Sequence, residues 1–223
     1  MKRALHAVLL ALPAALGAGL AQAEIALYPT GPSEDSAFLR FVNAAPGTLQ
    51  LVADGSRASL QLDAAKPVSA YLPVPANKAI KGTLSRDGQR SALQLSVAPG
   101  EFATVVALQD AGGIRQRVVR EQPDDFNALK ASLAFVNLDP SCQGASLRPA
   151  GRTADLFKDA PEASVQRRSI NPVKLSVQLV CANANVGGPV DLGELKAGER
   201  YSVLLLPTAS GPQLVPVTDT LSN

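Results

Sequence analysis

The chain has 223 residues, with 21 Lys and Arg against 19 Asp and Glu, one His, one Met and no Trp. The histidine is His6, so everything after it lacks imidazole, which excludes Ser-His-Asp and Cys-His nucleophiles and His-ligated zinc. The near balance of charge gives no argument for nucleic acid as a partner.

Lys2 and Arg3 open the chain, Ala7 to Leu20 form an apolar run broken only by Pro13 and glycines, and Ala21-Gln22-Ala23 fits the small-x-small cleavage rule. The run is short for a membrane span. Residues 1–23 are therefore predicted to be a cleavable signal peptide, with an uncleaved anchor as the alternative. No Cys stands at the cleavage point, which argues against a lipoprotein. An exported chain would begin near Glu24 and lose Met1, His6, Lys2 and Arg3, bringing its basic count down to the 19 acidic residues. A Ser–Lys pair or a two-carboxylate site remains chemically open. Neither has a recognisable motif here, so no catalytic residue is assigned and the chain is read as a non-enzyme.

The first predicted strand covers Ala37 to Asn43. Its frame, Leu39-Arg40-Phe41-Val42-Asn43 with Pro46, returns 94 positions later as Leu133-Ala134-Phe135-Val136-Asn137 with Pro140. Ser91 to Val97 and Lys174 to Val180 also alternate in part, so one face can be buried and the other wet. Phe102 to Leu108 and Tyr201 to Leu206 are more continuously apolar, as in strands covered on both faces. Pro99-Gly100 and Ala197-Gly198 mark the turns before them, and Asp54-Gly55, Asp87-Gly88 and Gly112-Gly113 mark others. Asn43 and Asn137 are expected to end their strands by bonding local backbone.

The correspondence extends well beyond the octet. Leu51, Gly55, Ala58, Leu60 and Asp63 match Leu147, Gly151, Ala154, Leu156 and Asp159 at an offset of 96, and Glu101 with Thr104 to Leu108 matches Glu199 with Ser202 to Leu206 at 98. This ordered drift reads as an internal duplication of a unit of about 90 residues. The expected fold is all-β: two tandem β-sandwiches over 24–122 and 123–223, with a short helix or linker between them. Pro123-Asp124-Asp125-Phe126 resembles a helix start, and the helix-like stretch runs from Asp124 to Ser132.

Cys142 and Cys181 are the two cysteines. In an oxidising compartment they are predicted to form one disulfide within the second unit. Their counterparts by offset fall near Thr48 and Leu84, where no cysteine occurs. Two lone cysteines do not make a metal site, and no metal or cofactor is expected.

Ala26-Leu27-Tyr28-Pro29 followed by Ser36 to Ala44 resembles the N-terminus of the AlgF family, exported accessory proteins of bacterial alginate O-acetylation. Phe126 to Ala131, Ser169 to Lys174 and Leu195 to Leu206 are similar to further family positions. The resemblance implies a periplasmic location. It also implies partnership with periplasmic acetyltransferases and a membrane-bound O-acyltransferase that add acetyl esters to a secreted polysaccharide. The polymer would be alginate or, in related systems, cellulose. The cysteine pair is not carried over from the family.

Two basic clusters are candidate contact sites for a partner or the anionic polymer: Arg115 and Arg117 with Arg120, and Arg167 with Arg168. Alternation puts Arg115 and Arg117 on one strand face, where Arg forks could meet uronate carboxylates or an acidic protein surface. The other reading is an edge strand protected by charge against aggregation. Tyr71 is a further candidate, balanced between surface and core, whereas Phe38, Phe41, Phe102 and Phe135 sit in apolar strands. The expected function is a non-catalytic adaptor for polysaccharide O-acetylation. A carbohydrate-binding module and an exported chaperone-like β protein are the alternatives.

Overall fold

A computed structural model describes residues 36–122 and 127–222. The expected signal peptide and the expected helix start at 123–126 lie outside the described residues. The first half contains β1 (Ser36–Asn43), β2 (Leu49–Ala53), β3 (Ser59–Leu62), β4 (Leu72–Pro75), β5 (Ile80–Arg86), β6 (Gln89–Leu95), β7 (Phe102–Asp110) and β8 (Gly113–Glu121). The second contains β9 (Ala131–Asn137), β10 (Ala145–Pro149), β11 (Phe157–Ala160), β12 (Ser164–Ile170), β13 (Val173–Cys181), β14 (Ala184–Leu195), β15 (Arg200–Thr208) and β16 (Gly211–Thr218).

They form four sheets of four strands, ordered β4-β1-β7-β8 and β3-β2-β5-β6 in the first half, β12-β9-β15-β16 and β11-β10-β13-β14 in the second. Each strand of one half has its counterpart eight elements later, with the same neighbours. Among the described strands, the one parallel pairing of each half also matches: β1 on β7 with Asn43 opposite Ala107, and β9 on β15 with Asn137 opposite Leu205. The offsets of 94 and 98 seen in the sequence therefore coincide with the register of these central strands.

Sequence alternation decides which face each strand buries. Ala37, Leu39 and Phe41 point into the core of the first half with Leu49, Leu62, Leu84 and Val105. Ala131, Leu133 and Phe135 do the same in the second half with Leu147, Phe157, Leu179 and Val203. The intervening residues bury the opposite face: Val42, Val106 and Val119 pack on Val136, Leu138, Leu204 and Leu206 in a third core between the halves. The continuous apolar runs at 102–108 and 201–206 now have a cause. Each faces its own half on one side and the other half on the other. Burial of each such Val or Leu contributes about 1.5–3 kcal/mol, so the seam is held as the cores are.

The turns follow the residues predicted for them. Asp87-Gly88, both at positive φ, make the two-residue loop of the β5–β6 hairpin, which starts β6 at Gln89 and shifts it two residues ahead of the predicted 91–97. Ala182-Asn183 do the same between β13 and β14. The expected helix at 124–132 is not found among the described residues. Asn127 instead closes a turn, accepting from the amides of Leu129 and Lys130. β9 then begins at Ala131 because Ala131, Leu133 and Phe135 alternate into the core with period two.

Asn43 and Asn137 reach further than local backbone. Asn43 Nδ2 donates to the Leu62 carbonyl and Asn137 Nδ2 to the Ala160 carbonyl, tying each central strand to the edge strand of the opposing sheet. Local bonds accompany them, to Gly47 O from Asn43 and from the Asp139 amide to Asn137 Oδ1. The repeated Leu-x-Phe-Val-Asn frame thus encodes two core contacts, one seam contact and one buried tie.

Candidate functional site: the polar end of the seam

The seam residues of β1, β7, β12 and β15 turn polar at one end. Arg40 on β1 donates from Nε to Thr104 Oγ1 at 2.9 Å, from Nη1 to Asp219 Oδ1 at 2.8 Å and from Nη2 to Ser202 Oγ at 3.3 Å. Asp219 Oδ2 also accepts from Ser202 Oγ at 2.9 Å and from Arg167 Nη2 at 3.2 Å. Arg167 on β12 makes a two-pronged pair with Glu121 at the end of β8. Arg200 Nη2 lies 3.6 Å from the same carboxylate, and its guanidinium sits 5.2 Å over the Phe102 ring. Arg40 lies 4.6 Å over Tyr71, and the tail of the second half runs beside that tyrosine, with the Tyr71 amide donating to Thr220 O and the Ser222 amide to Tyr71 O.

The register explains why these groups converge. Glu121 lies opposite Phe102, and Asp219 bonds Arg200 through its amide in the same place on the other half. Thr104 and Ser202 are likewise matched at an offset of 98. The two carboxylates are therefore counterparts brought face to face across the seam. Three arginines against two carboxylates leave one excess positive charge.

Burial sets the protonation of the group. It pushes the Tyr71 hydroxyl above its ordinary value, with Arg40 opposing. Burial works against the Arg167 guanidinium, but Glu121 and Asp219 outweigh it and raise its pKa. Arg200 is lowered by burial and then by the neighbouring Arg167. Ser202 is buried and its carboxylate neighbour is held by two guanidinium groups. No imidazole is available to activate that hydroxyl. The arrangement fastens the halves together.

The residues picked out from sequence fall into different places. Tyr71 is 2% exposed and the Arg167 side chain 5%, so both lie inside the molecule and neither offers a contact surface. The physical reason is the seam itself: the alternation of β12 turns Arg167 toward the first half and Arg168 away from it. Arg168 is exposed, over the Phe157 ring at 5.9 Å. Arg115 and Arg117 do share one face of the edge strand β8. Arg117 is half exposed, 3.6 Å from Glu162 of the other half, and Arg115 lies 3.8 Å from Asp110. Arg120, on the opposite face, is paired with Glu101 at 2.8 Å. The Cys142–Cys181 disulfide is formed, with Cα atoms 5.0 Å apart.

Sequence reasoning missed Arg40, Glu121, Arg200 and Asp219. A signal was there: an arginine between Leu39 and Phe41 in an otherwise apolar frame, and acids at matching offsets, Glu121 ending the last strand of the first unit and Asp219 just past that of the second.

A family model described as "Alginate O-acetyl transferase AlgF" matches residues 7–202. The chain belongs to the AlgF family. It is 30% identical over 212 residues to the alginate biosynthesis protein AlgF of Pseudomonas aeruginosa, covering 93% of this chain and 89% of that protein. Among solved structures, a Bacteroides uniformis protein provisionally described as a cell adhesion protein aligns over 83% of this chain and 98% of its own. Its identity is 8% and its TM-score 0.29, too distant to bear on the fold.

Proposed function

We propose that this AlgF-family chain is an exported, non-catalytic adaptor in alginate O-acetylation, working in the periplasm by contact with the acetyltransferases. The observation that carries the reading is the family match over 7–202 in a chain with no histidine after His6. Acetyl relay of the Ser-His kind needs that imidazole base, and no Ser–Lys motif takes its place in the sequence, so we assign the chemistry to partners. A disulfide in the second half agrees with export. We further read the shared topology of the halves as the product of a duplication.

The contact surface we assign is the arginine row of β8, half-buried Arg115 and exposed Arg117, with Arg168 as a separate exposed cation. Phe38 and Phe102 stack on one another with Tyr71 on edge, so these rings are spent on the seam and not held out as sugar platforms. That favours protein contact over polymer binding. Deleting the gene should abolish acetyl esters on the secreted polymer while its synthesis continues, and the purified chain should show no turnover of a chromogenic acetyl ester. Normally acetylated polymer from the deletion strain would refute the assignment. Esterase turnover that disappears on one Ser or Lys substitution would refute the non-catalytic part.

A further inference from the structure

The matched registers make the second half a reference for the first. Leu51 pairs with Leu60 and Leu84 where Leu147 pairs with Phe157 and Leu179. Ala53 pairs with Gly82 where Pro149 pairs with Val177. Phe157 and Val177 are buried in the second core, and the more open hollow of about 710 Å³ beside Pro149, Leu156, Ile170 and Leu175 is not lined by them. The first half has a smaller side chain at 60 and none at 82, and there a cavity of about 330 Å³ opens between the sheets. Its inner wall is Leu39, Phe41, Leu51, Leu72, Val74 and Leu93. At Gly82 the neighbouring strand runs too close for any side chain, since a Cβ there would lie 2.6 Å from the Val52 carbonyl oxygen, so position 82 cannot contribute a filling group as Val177 does.

The mouth is different in character. Ser59 and Lys81, both exposed, are among the residues that line the cavity, and exposed Arg57 and Lys78 stand in the adjoining loops with the single acid Asp54. An apolar cavity disfavours water and gains from an apolar occupant, as an engineered cavity of about 150 Å³ takes up benzene. On that scale this one accommodates roughly ten to twelve carbon-sized atoms. An acetyl group would leave most of it empty.

We propose that the first sandwich binds an aliphatic chain of about eight to ten carbons with an anionic head, the chain in the cavity and the head against Lys81. The source could be a free fatty acid or an acyl group carried on a larger anion. Both present the same chemistry to the site.

Calorimetric titration of the exported chain with sodium decanoate should show one site, with butyrate giving no measurable binding. Leu60→Phe, which restores the ring found at 157, should weaken decanoate at least tenfold with the melting temperature unchanged or higher. Lys81→Glu, at an exposed position that folding does not depend on, should weaken decanoate by a similar factor while leaving decanol binding unaltered. Decanoyl phosphate binding as well as decanoate would show that the head need only be an anion. Unchanged decanoate affinity in both variants, or no binding to the wild type at millimolar decanoate, overturns the proposal.

Discussion

Asp219→Ala removes the carboxylate that Arg40, Arg167 and Ser202 share across the seam. The side chains of Asp219 and Arg40 are each 2% exposed, so the substitution leaves two guanidinium groups in a dry setting with one acid, Glu121, between three arginines. Breaking a buried pair in this way destabilises by about 3–5 kcal/mol, mostly because the remaining charge loses its partner. For a chain of this length each kcal/mol moves the melting temperature by about 2–4 °C, so a fall of roughly 6–20 °C is expected. Circular dichroism melts and urea titrations would measure it. The exposed pair Arg117–Glu162 supplies the control, since pairs of that kind contribute about 0–1 kcal/mol. An Asp219→Ala melting temperature within 2 °C of wild type would refute the claim that this cluster fastens the halves.

Charge reversal of Arg115 and Arg117 together should weaken capture of the acetyltransferases severalfold with little change in melting temperature. A large fall in melting temperature would mark these arginines as structural instead. On the alkaline side, Tyr71 and Tyr201 are both raised by burial, Tyr201 also by its bond to Glu199. Absorbance titration of the folded protein should therefore show both ionising at higher pH than an ordinary tyrosine does. A tyrosine raised in the folded state contributes stability that is intact below about pH 10 and is lost as pH climbs through the folded value. Urea midpoints should hold steady to about pH 10 and drop above it, and a midpoint independent of pH up to 12 would contradict the burial of Tyr71.

Much of the fold was legible because its causes are local. Alternation at 37–43 and 174–180, the glycine turns at Gly100 and Gly198, and the recurrence of Leu-x-Phe-Val-Asn are short-range signals, and each sits on a strand or turn of the expected kind. The two-faced apolar runs at 102–108 and 201–206 also announced a second cover. What covers them could not be read, because it is the other half of the same chain. That one missing fact accounts for the misplaced site residues. Arg167 looks like a surface cation in sequence because its acids, Glu121 and Asp219, are 46 and 52 positions away. Tyr71 looks half-exposed because the tail that covers it comes from Thr220 to Ser222. Asp124 and Asp125 invite a helix over 124–132, but acidic residues at a helix start are a weaker signal than the core demand of the strand that follows, and 127–130 form a turn.

The disulfide takes on a different meaning once the registers are aligned. Counting by sequence offset put the counterpart of Cys181 near Leu84, but the hairpin ends correct this. Arg86 opposite Gln89 and Cys181 opposite Ala184 flank equivalent two-residue loops, so Arg86 is the true counterpart. Arg86 is buried, donates to Asn43 Oδ1 and Gln109 Oε1, and reaches the carbonyls of Ala107 and Leu108 at the end of β7. Both halves thus pin the same hairpin end, one with a guanidinium to the ends of β1 and β7 and the other with a covalent bond to Cys142 in the loop after β9. The two pins should fail under different conditions. Closing a loop over a separation of 39 residues is worth about 4 kcal/mol on the chain-entropy estimate, so reductant should raise amide exchange in β13 and β14 and leave β5 and β6 protected. Arg86→Ala should do the reverse, costing about 2–4 kcal/mol because four acceptors lose a charged donor. Reductant that loosened both hairpins equally would show that the pins do not act within their own halves, and a denatured chain with two free thiols would remove the covalent one altogether.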